Sequence, residues 1–470
     1  LHDGLPKTVR EAHFVLPPIQ RSAIPPLPDD LRLSDEASAH QPQQAPSDRT
    51  RDHQTGRQAD RQSDPQLART NARSSWSAVP TEPPLAGDRT AELLAILSSP
   101  NVASKESTIR QYDHEVQGRT YGKPLGGAVG DGPQDAAVLR PLPESSLGVV
   151  ISNGLNPELG LIDPWEMTTN AIDEAVRNAL AAGGSRDKLA ILDNFSWGNC
   201  RKPDRLGGVV RAAEACREQA VAYGLPFISG KDSLNNEYVS EQGEAIAIPP
   251  TLLISAVGVV EDIDRDLTSS DFKQDGSVLY LLGETYAELA ASHWLLTRNV
   301  PSGSDLPRVR TASAIRTFDC LEHLRRARWL RAVHDLAEGG LAVALAEMSI
   351  GGRLGADVAV DGIEVRRGRL GFDGPEADEE ASIHADLDAD ALDGVRLFSE
   401  SPSRFVIEVH ENDAPNVERS ATEFGATVTR LGIVSATPDL TVTGADGRTR
   451  VRASVETLRY AWQRTLRAFA

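Results

Sequence analysis

A break in composition near residue 88 divides the chain into a part that cannot bury itself and a part that can. Residues 1–88 hold 12 of the 29 prolines, many Arg, Gln, Ser and Asp, and the short tandem Arg57-Gln58-Ala59-Asp60-Arg61-Gln62-Ser63-Asp64. Neither helical nor strand periodicity runs through them, and their apolar surface is too small to offset the entropy of ordering the chain. We expect a disordered linker over 1–88. Beyond it, AELLAILSS after Thr90 has helical spacing, and folded sequence is expected to begin there.

From that point strand and helix patterns alternate. LGVVIS (Leu147 to Ser152) is strand-like, and Trp165 to Ala182 puts Met167, Ala171, Ile172, Ala175, Val176, Ala179 and Leu180 on one helical stripe, stopped by Gly183-Gly184. KLAIL (Lys188 to Leu192) reads as a short buried strand, Gly208 to Tyr223 as a second amphipathic helix, and Leu225 to Ile228 as another strand. LLISAVGVV (Leu252 to Val260) closes this block. A new block opens at SVLYLL (Ser277 to Leu282), with a helix at about 341–349 and a strand at Arg404 to Val409. The expected fold class is α+β, in two domains with a boundary around 262–275.

Composition narrows the function classes. Of 470 residues, 49 are Lys or Arg and 68 are Asp or Glu, so the formal charge of −19 argues against binding driven by nucleic-acid phosphates. The excess acid is most simply a solubility feature. No apolar run approaches the ~20 residues that cross a bilayer, and no basic-then-apolar leader opens the chain, so neither membrane nor export is expected. The start at Leu1 rather than Met leads us to expect a fragment. Cys200, Cys216 and Cys320 have no CxxC spacing and cannot form a disulfide framework, which fits a reducing cytoplasm.

Two polar motifs carry the chemistry. Asp193-Asn194-Phe195-Ser196-Trp197-Gly198-Asn199 follows a strand, where ligands often bind in open α/β layers, and Asp193 suits a nucleotide or its metal. The same residues would also shape an ordinary Asx turn. Ser229-Gly230-Lys231-Asp232-Ser233 then follows the next strand. Gly230 would let backbone approach a phosphate, Lys231 would neutralise it, and the Ser233 hydroxyl would donate to an oxyanion or amide. A solvated turn would use such residues too, and GxxxxGK[ST] is absent. Two polar loops at consecutive strand ends say more than either alone.

These motifs lie in a longer series: RQYDHEVQ (Arg110 to Gln117), DAAVL (Asp135 to Leu139), DNFSWGN, SGKDSLNNEY (Ser229 to Tyr238), HDLAEGGLAVALAEM (His334 to Met348) and LFSESPSRF (Leu397 to Phe405). In that order they resemble the C-terminal half of the synthetase subunit of the phosphoribosylformylglycinamidine synthase family, in the aminoimidazole ribonucleotide synthetase superfamily. The resemblance covers about 91–435, and Leu1 to Arg10 resembles the tail of a preceding half. The long linker departs from the family.

The resemblance implies a ferredoxin-like sheet domain (89–265), an α+β C-terminal domain (275–440) and a C-terminal extension (441–470). It implies two pseudo-symmetric halves in the full subunit, with the active site at their junction and the catalytic groups in the missing N-terminal half. ATP would activate the formyl amide oxygen of formylglycinamide ribonucleotide, and ammonia from a glutaminase subunit would displace the phosphate; a small accessory subunit belongs to some forms. On the matching positions, Asp193 and Gly230 contact ATP and Ser233 contacts the substrate. The family often has a metal-binding Asn where Lys231 stands. A protonated Lys cannot ligate Mg²⁺, so Lys231 is assigned to phosphate.

Glu174 and Asn178 are four apart on one helix and share a face. Asp335 follows the strand-like Ala332-Val333 and precedes Gly339-Gly340. The bland reading is a wet helix face; the resemblance makes these three the metal ligands of an auxiliary nucleotide site. His114 and His334 are expected to be structural or hydrogen-bonding residues. No cysteine has the His partner of a glutaminase nucleophile, so ammonia is expected from another chain. The rival readings are another ATP-using enzyme of the superfamily, such as a selenophosphate synthetase or thiamine-phosphate kinase, and a non-catalytic nucleotide-binding half-module.

Overall fold

The structure, a computed structural model, describes residues 87–111, 114–243, 245–300, 305–368 and 387–467. The expected linker lies outside these residues save for its last two. Helix α1 (Thr90–Leu97) comes first. Strands β1 (Thr120–Gly122), β2 (Ala137–Leu139), β3 (Gly148–Gly154), β4 (Leu189–Ser196), β5 (Phe227–Ser233) and β6 (Thr251–Val260) then build a sheet in the order β1-β2-β3-β6-β4-β5. Helix α2 (Pro164–Ala181) links β3 to β4, and α3 (Pro203–Tyr223) links β4 to β5. Strand β6 inserts between β3 and β4, antiparallel to both, which makes β3-α2-β4 a split βαβ unit.

Local chemistry sets the bounds of α2. The Asp163 carboxylate accepts from Trp165 N at 2.9 Å, and Pro164 fits a first turn whose N–H groups lack helical partners. The expected apolar stripe, Met167 to Leu180, is at most 1% exposed and packs on Val150, Ile191, Ile254 and Ala256 of the sheet. Burying each large member stabilises the fold by roughly 1.5–3 kcal/mol. The helix ends before Gly183 (φ +103°), where a Cβ would lie 2.3 Å from the Asp266 carbonyl.

The opposite sheet face is open. Ile151 is 46% exposed there, and Val149, Leu192, Leu253, Val257 and Val259 are half-buried.

The second sheet comprises β7 (Val278–Leu282), β8 (Leu330–Asp335), β9 (Gly355–Ala359), β10 (Phe405–Val409), β11 (Val428–Ser435), β12 (Asp439–Thr443) and β13 (Thr449–Ser454), in the order β8-β10-β7-β11-β9-β12-β13. Helices α4 (Thr311–Arg326), α5 (Gly340–Gly352), α6 (Ala389–Phe398), α7 (Ala414–Phe424) and α8 (Val455–Arg467) complete this part. Val278, Tyr280 and Leu282 join the core that contains α4 and α7, whereas Leu279 and Leu281 join the core that contains α5. Covering on both faces explains why β7 reads as an unbroken apolar run. The architecture is mixed α+β, as expected.

Three expectations need adjusting. The strands expected to stop at Leu192 and Ile228 run on to Ser196 and Ser233, so Asp193–Ser196 of the first motif and all of Ser229–Ser233 are strand rather than loop. The parallel β4–β5 ladder pairs the backbone groups that face across it, and a ladder needs no apolar alternation. Helix α1 packs on α8 rather than on the first sheet: Trp462 Nε1 donates to the Val102 carbonyl at 3.0 Å, and Thr465 Oγ1 to that of Ser98 at 2.6 Å. The boundary drawn at 440 falls inside β12. Among the described residues no helix is long and apolar enough to cross a membrane.

Candidate functional site

Strand β5 is the edge of the first sheet, and its register sets Asp193 beside Gly230, Asn194 beside Lys231 and Ser196 beside Ser233. Side chains alternate along a strand, so Asp193 and Gly230 share the helix-covered face while Lys231 and Ser233 share the open one. A Cβ on Gly230 would lie 2.4 Å from Asp193 Oδ1: the carboxylate fills the space a side chain would take. Burial raises the Asp193 pKa, the Lys231 backbone N–H opposes this, and Asp232 adds to it. On the open face, Lys231 Nζ donates to Ser233 Oγ and forms no ion pair among the described residues. Asn194 Oδ1 is buried without a partner. The edge therefore offers an unneutralised ammonium, a hydroxyl and an orphaned acceptor.

A second constellation lies where α2 meets β8. Asp135, His334 and Asp335 each bring a potential ligand atom within 4.8 Å of the others. His334 Nδ1 lies 2.5 Å from Asp135 Oδ1, and Nε2 lies 3.0 Å from Glu347 Oε2. Burial alone would depress the His334 pKa, but Asp135 and Glu347 outweigh it and hold the ring well above its ordinary value. Burial pushes the Asp135 carboxyl up to about 6. Glu174 is raised well above its usual range by burial, then by Glu338. A cavity of about 100 Å³ opens onto His334, Asp335, Glu338 and Glu347.

The three expected ligands are each held by one atom. Glu174 Oε2 accepts from Leu155 N at 2.9 Å, Asn178 Nδ2 donates to the Asn153 carbonyl at 3.0 Å, and Asp335 Oδ2 accepts from Arg177 Nη2 at 3.1 Å. One oxygen of each is left over. Such a donor set, all oxygen and rich in carboxylate, fits a hard divalent cation. Glu174 and Asp335 repel one another, and Asn178 holds β3 through its amide nitrogen alone.

Sequence reasoning missed Asp135, Glu338 and Glu347. Asp135 sits in a quoted motif, yet its partner His334 is 199 residues away, and nothing local pairs them. Of the histidines, His114 offers its carbonyl to Thr120 Oγ1 at 2.6 Å. Burial pushes the Cys216 and Cys320 thiols up to about 12 and raises that of Cys200, away from a thiolate nucleophile.

Residues 133–260 match the family model described as AIR synthase related protein, N-terminal domain, and 274–445 match its C-terminal domain. Phosphoribosylformylglycinamidine synthase subunit PurL from Deinococcus radiodurans is 33% identical over 389 residues, 82% of this chain and 47% of that protein. The subunit from Methanothrix thermoacetophila is 33% identical over 384 residues, 80% of this chain and 44% of that one. The chain thus spans about half the length of the curated relatives it matches. Among solved structures, T. maritima PurL complexed with FGAR superposes with a TM-score of 0.57 at 16% identity, covering 84% of this chain and 55% of that one. At that identity the likeness speaks for the fold.

Proposed function

The chain belongs to the AIR synthase related family, and from that membership we propose that it is the C-terminal half of a phosphoribosylformylglycinamidine synthase synthetase subunit. The whole protein would be a cytoplasmic ligase that amidates formylglycinamide ribonucleotide at the expense of ATP, with ammonia from a glutaminase subunit and an accessory subunit in attendance. T. maritima PurL complexed with FGAR and with ATP supports this pair of ligands.

The observation that carries the reading is the two-faced edge at β5. Asp193 with Gly230 would meet the nucleotide on the helix-covered face, while Lys231, which forms no ion pair among the described residues, would neutralise a phosphate on the open face that it shares with Ser233, which would hold the substrate. The half-exposed apolar face of the first sheet is where the absent half would pack, since the chain spans only about half of its relatives. Mg²⁺ bound with an auxiliary nucleotide would be held by Glu174, Asn178 and Asp335, with Asp135 beside them, and would offset phosphate charge there.

With half of the site absent, the purified chain is expected to bind ATP or ADP weakly and not to turn over, because positioning supplies much of the rate in phosphoryl transfer. Substrate-dependent ADP release by this chain alone would overturn the assignment of the catalytic groups to another half.

A further inference from the structure

The LFSESPSRF motif has no part in the site above, yet it meets the first sheet's helices at one buried carboxylate. Asp173, on α2, is fully buried. Its Oδ1 accepts from Tyr223 Oη at 2.6 Å and Ser403 Oγ at 2.7 Å. Its Oδ2 accepts from Ser403 N at 2.9 Å and from Arg177 Nη1. The donors come from the end of α3, from the loop before β10 and from α2 itself. Ser403 has φ +61°, a left-handed conformation unfavourable to a serine, and both of its donors point at Asp173.

The contact reaches further on both sides. Arg404 donates to the Ser401 carbonyl at 2.9 Å, the Ser399 carbonyl at 2.6 Å and Thr285 Oγ1 at 3.0 Å, tying the 399–404 loop into a polar knot. Arg177 carries the link to β8: it donates to Asp335 Oδ2 through Nη2 at 3.1 Å and Nε at 3.3 Å, and to the Leu336 carbonyl at 3.1 Å.

We infer that Asp173 is a positioning residue that latches α2 and α3 to the 399–404 loop and, through Arg177, sets the orientation of Asp335. The latch stands on the hydrogen bonds alone; only its consequence for a cation rests on the reading of Asp335 given above.

The test uses the whole chain, Asp173→Ala and Asp173→Asn, with hydrogen exchange read by mass spectrometry and Mn²⁺ binding read by electron paramagnetic resonance. In Asp173→Ala, exchange should rise roughly 10- to 150-fold in 399–404 and 335–339, the worth of a hydrogen bond to a charged group, with β6 unchanged. Mn²⁺ affinity should fall about 10–100-fold, as when a group that orients a metal ligand is lost. Asp173→Asn keeps an acceptor for Ser403 N, and the two hydroxyls can turn to suit its amide, so it should restore protection of the loop.

Exchange that rises evenly along the chain, or not at all at 399–404, overturns the latch. Wild-type chain that takes up no Mn²⁺ overturns the cation role of Asp335, while the exchange result still decides the latch. If Asp173→Ala does not fold, Tyr223→Phe with Ser403→Ala removes two donors and keeps the carboxylate. The same localised pattern is then expected at smaller amplitude, and an even one again refutes the proposal.

Discussion

At position 230 the side chain is missing because Asp193 occupies its place. Gly230→Ala is therefore expected to push the Asp193 carboxylate aside and weaken ATP binding in a reconstituted full-length subunit. On the proposed role of Asp193, Asp193→Asn should weaken it too, by removing a charge that would hold a nucleotide group or its metal. Ser233→Ala should instead raise the substrate KM and leave ATP affinity nearly intact, because Asp193 and Gly230 lie on the other face of β5 and Lys231 keeps its charge. A lost hydrogen bond to a charged group is worth about 1.5–3 kcal/mol, or roughly 10- to 150-fold. ATP and substrate constants measured separately decide the matter; Ser233→Ala that weakens ATP but not substrate reverses the two roles.

Among elements, α8 couples the end of the described chain to its beginning. Trp462 is 2% exposed, and its backbone carbonyl accepts from Ser104 N at 2.9 Å. Trp462→Ala is expected to cost about 3–5 kcal/mol, the usual penalty for emptying such a site, and to release α1. Urea denaturation gives the first, and protease resistance around 90–105 gives the second. Helix α2 was legible in the sequence because one sheet face covers a single stripe, so seven apolar residues recur at helical spacing. Strand β5 was legible only at its start, because its polar SGKDS run lies on an exposed edge where the ladder, not burial, holds it. Likewise Asp193 and Ser233 were found as residues, but their opposite faces depend on a register between strands. The Asp135–His334 pair depends on two domains meeting, which no local pattern records.

For the molecule as a whole, Glu166 sets a pH dependence. It lies in the first turn of α2, 3.6 Å from Arg308 in the chain segment that leads into α4. Burial pushes its carboxyl up to about 7, against Arg308 and with Asp163 and Glu288. Between the unfolded value near 4.5 and about 7 the folded state binds more protons than the unfolded one, so this group's contribution to stability falls as pH rises through that window. Glu166→Gln should remove that slope and stabilise the chain at pH 8 by up to about 3 kcal/mol, less whatever the Arg308 pair contributed. Urea midpoints for both proteins at pH 5 and pH 8 measure it, and an equal change at the two values would exclude the mechanism.

Helix α1 lies against α8, Arg89 N donates to the Arg450 carbonyl, and Arg467 pairs with Glu106, so the described chain starts and finishes at one corner. A short peptide could join those ends, and a cut in the hairpin formed by Glu237–Val239 and Ala245–Ala247 would open a new pair outside both cores. Such a circular permutant would keep every core residue in place. The order in which the ribosome makes these elements is therefore separable from the order in which they pack.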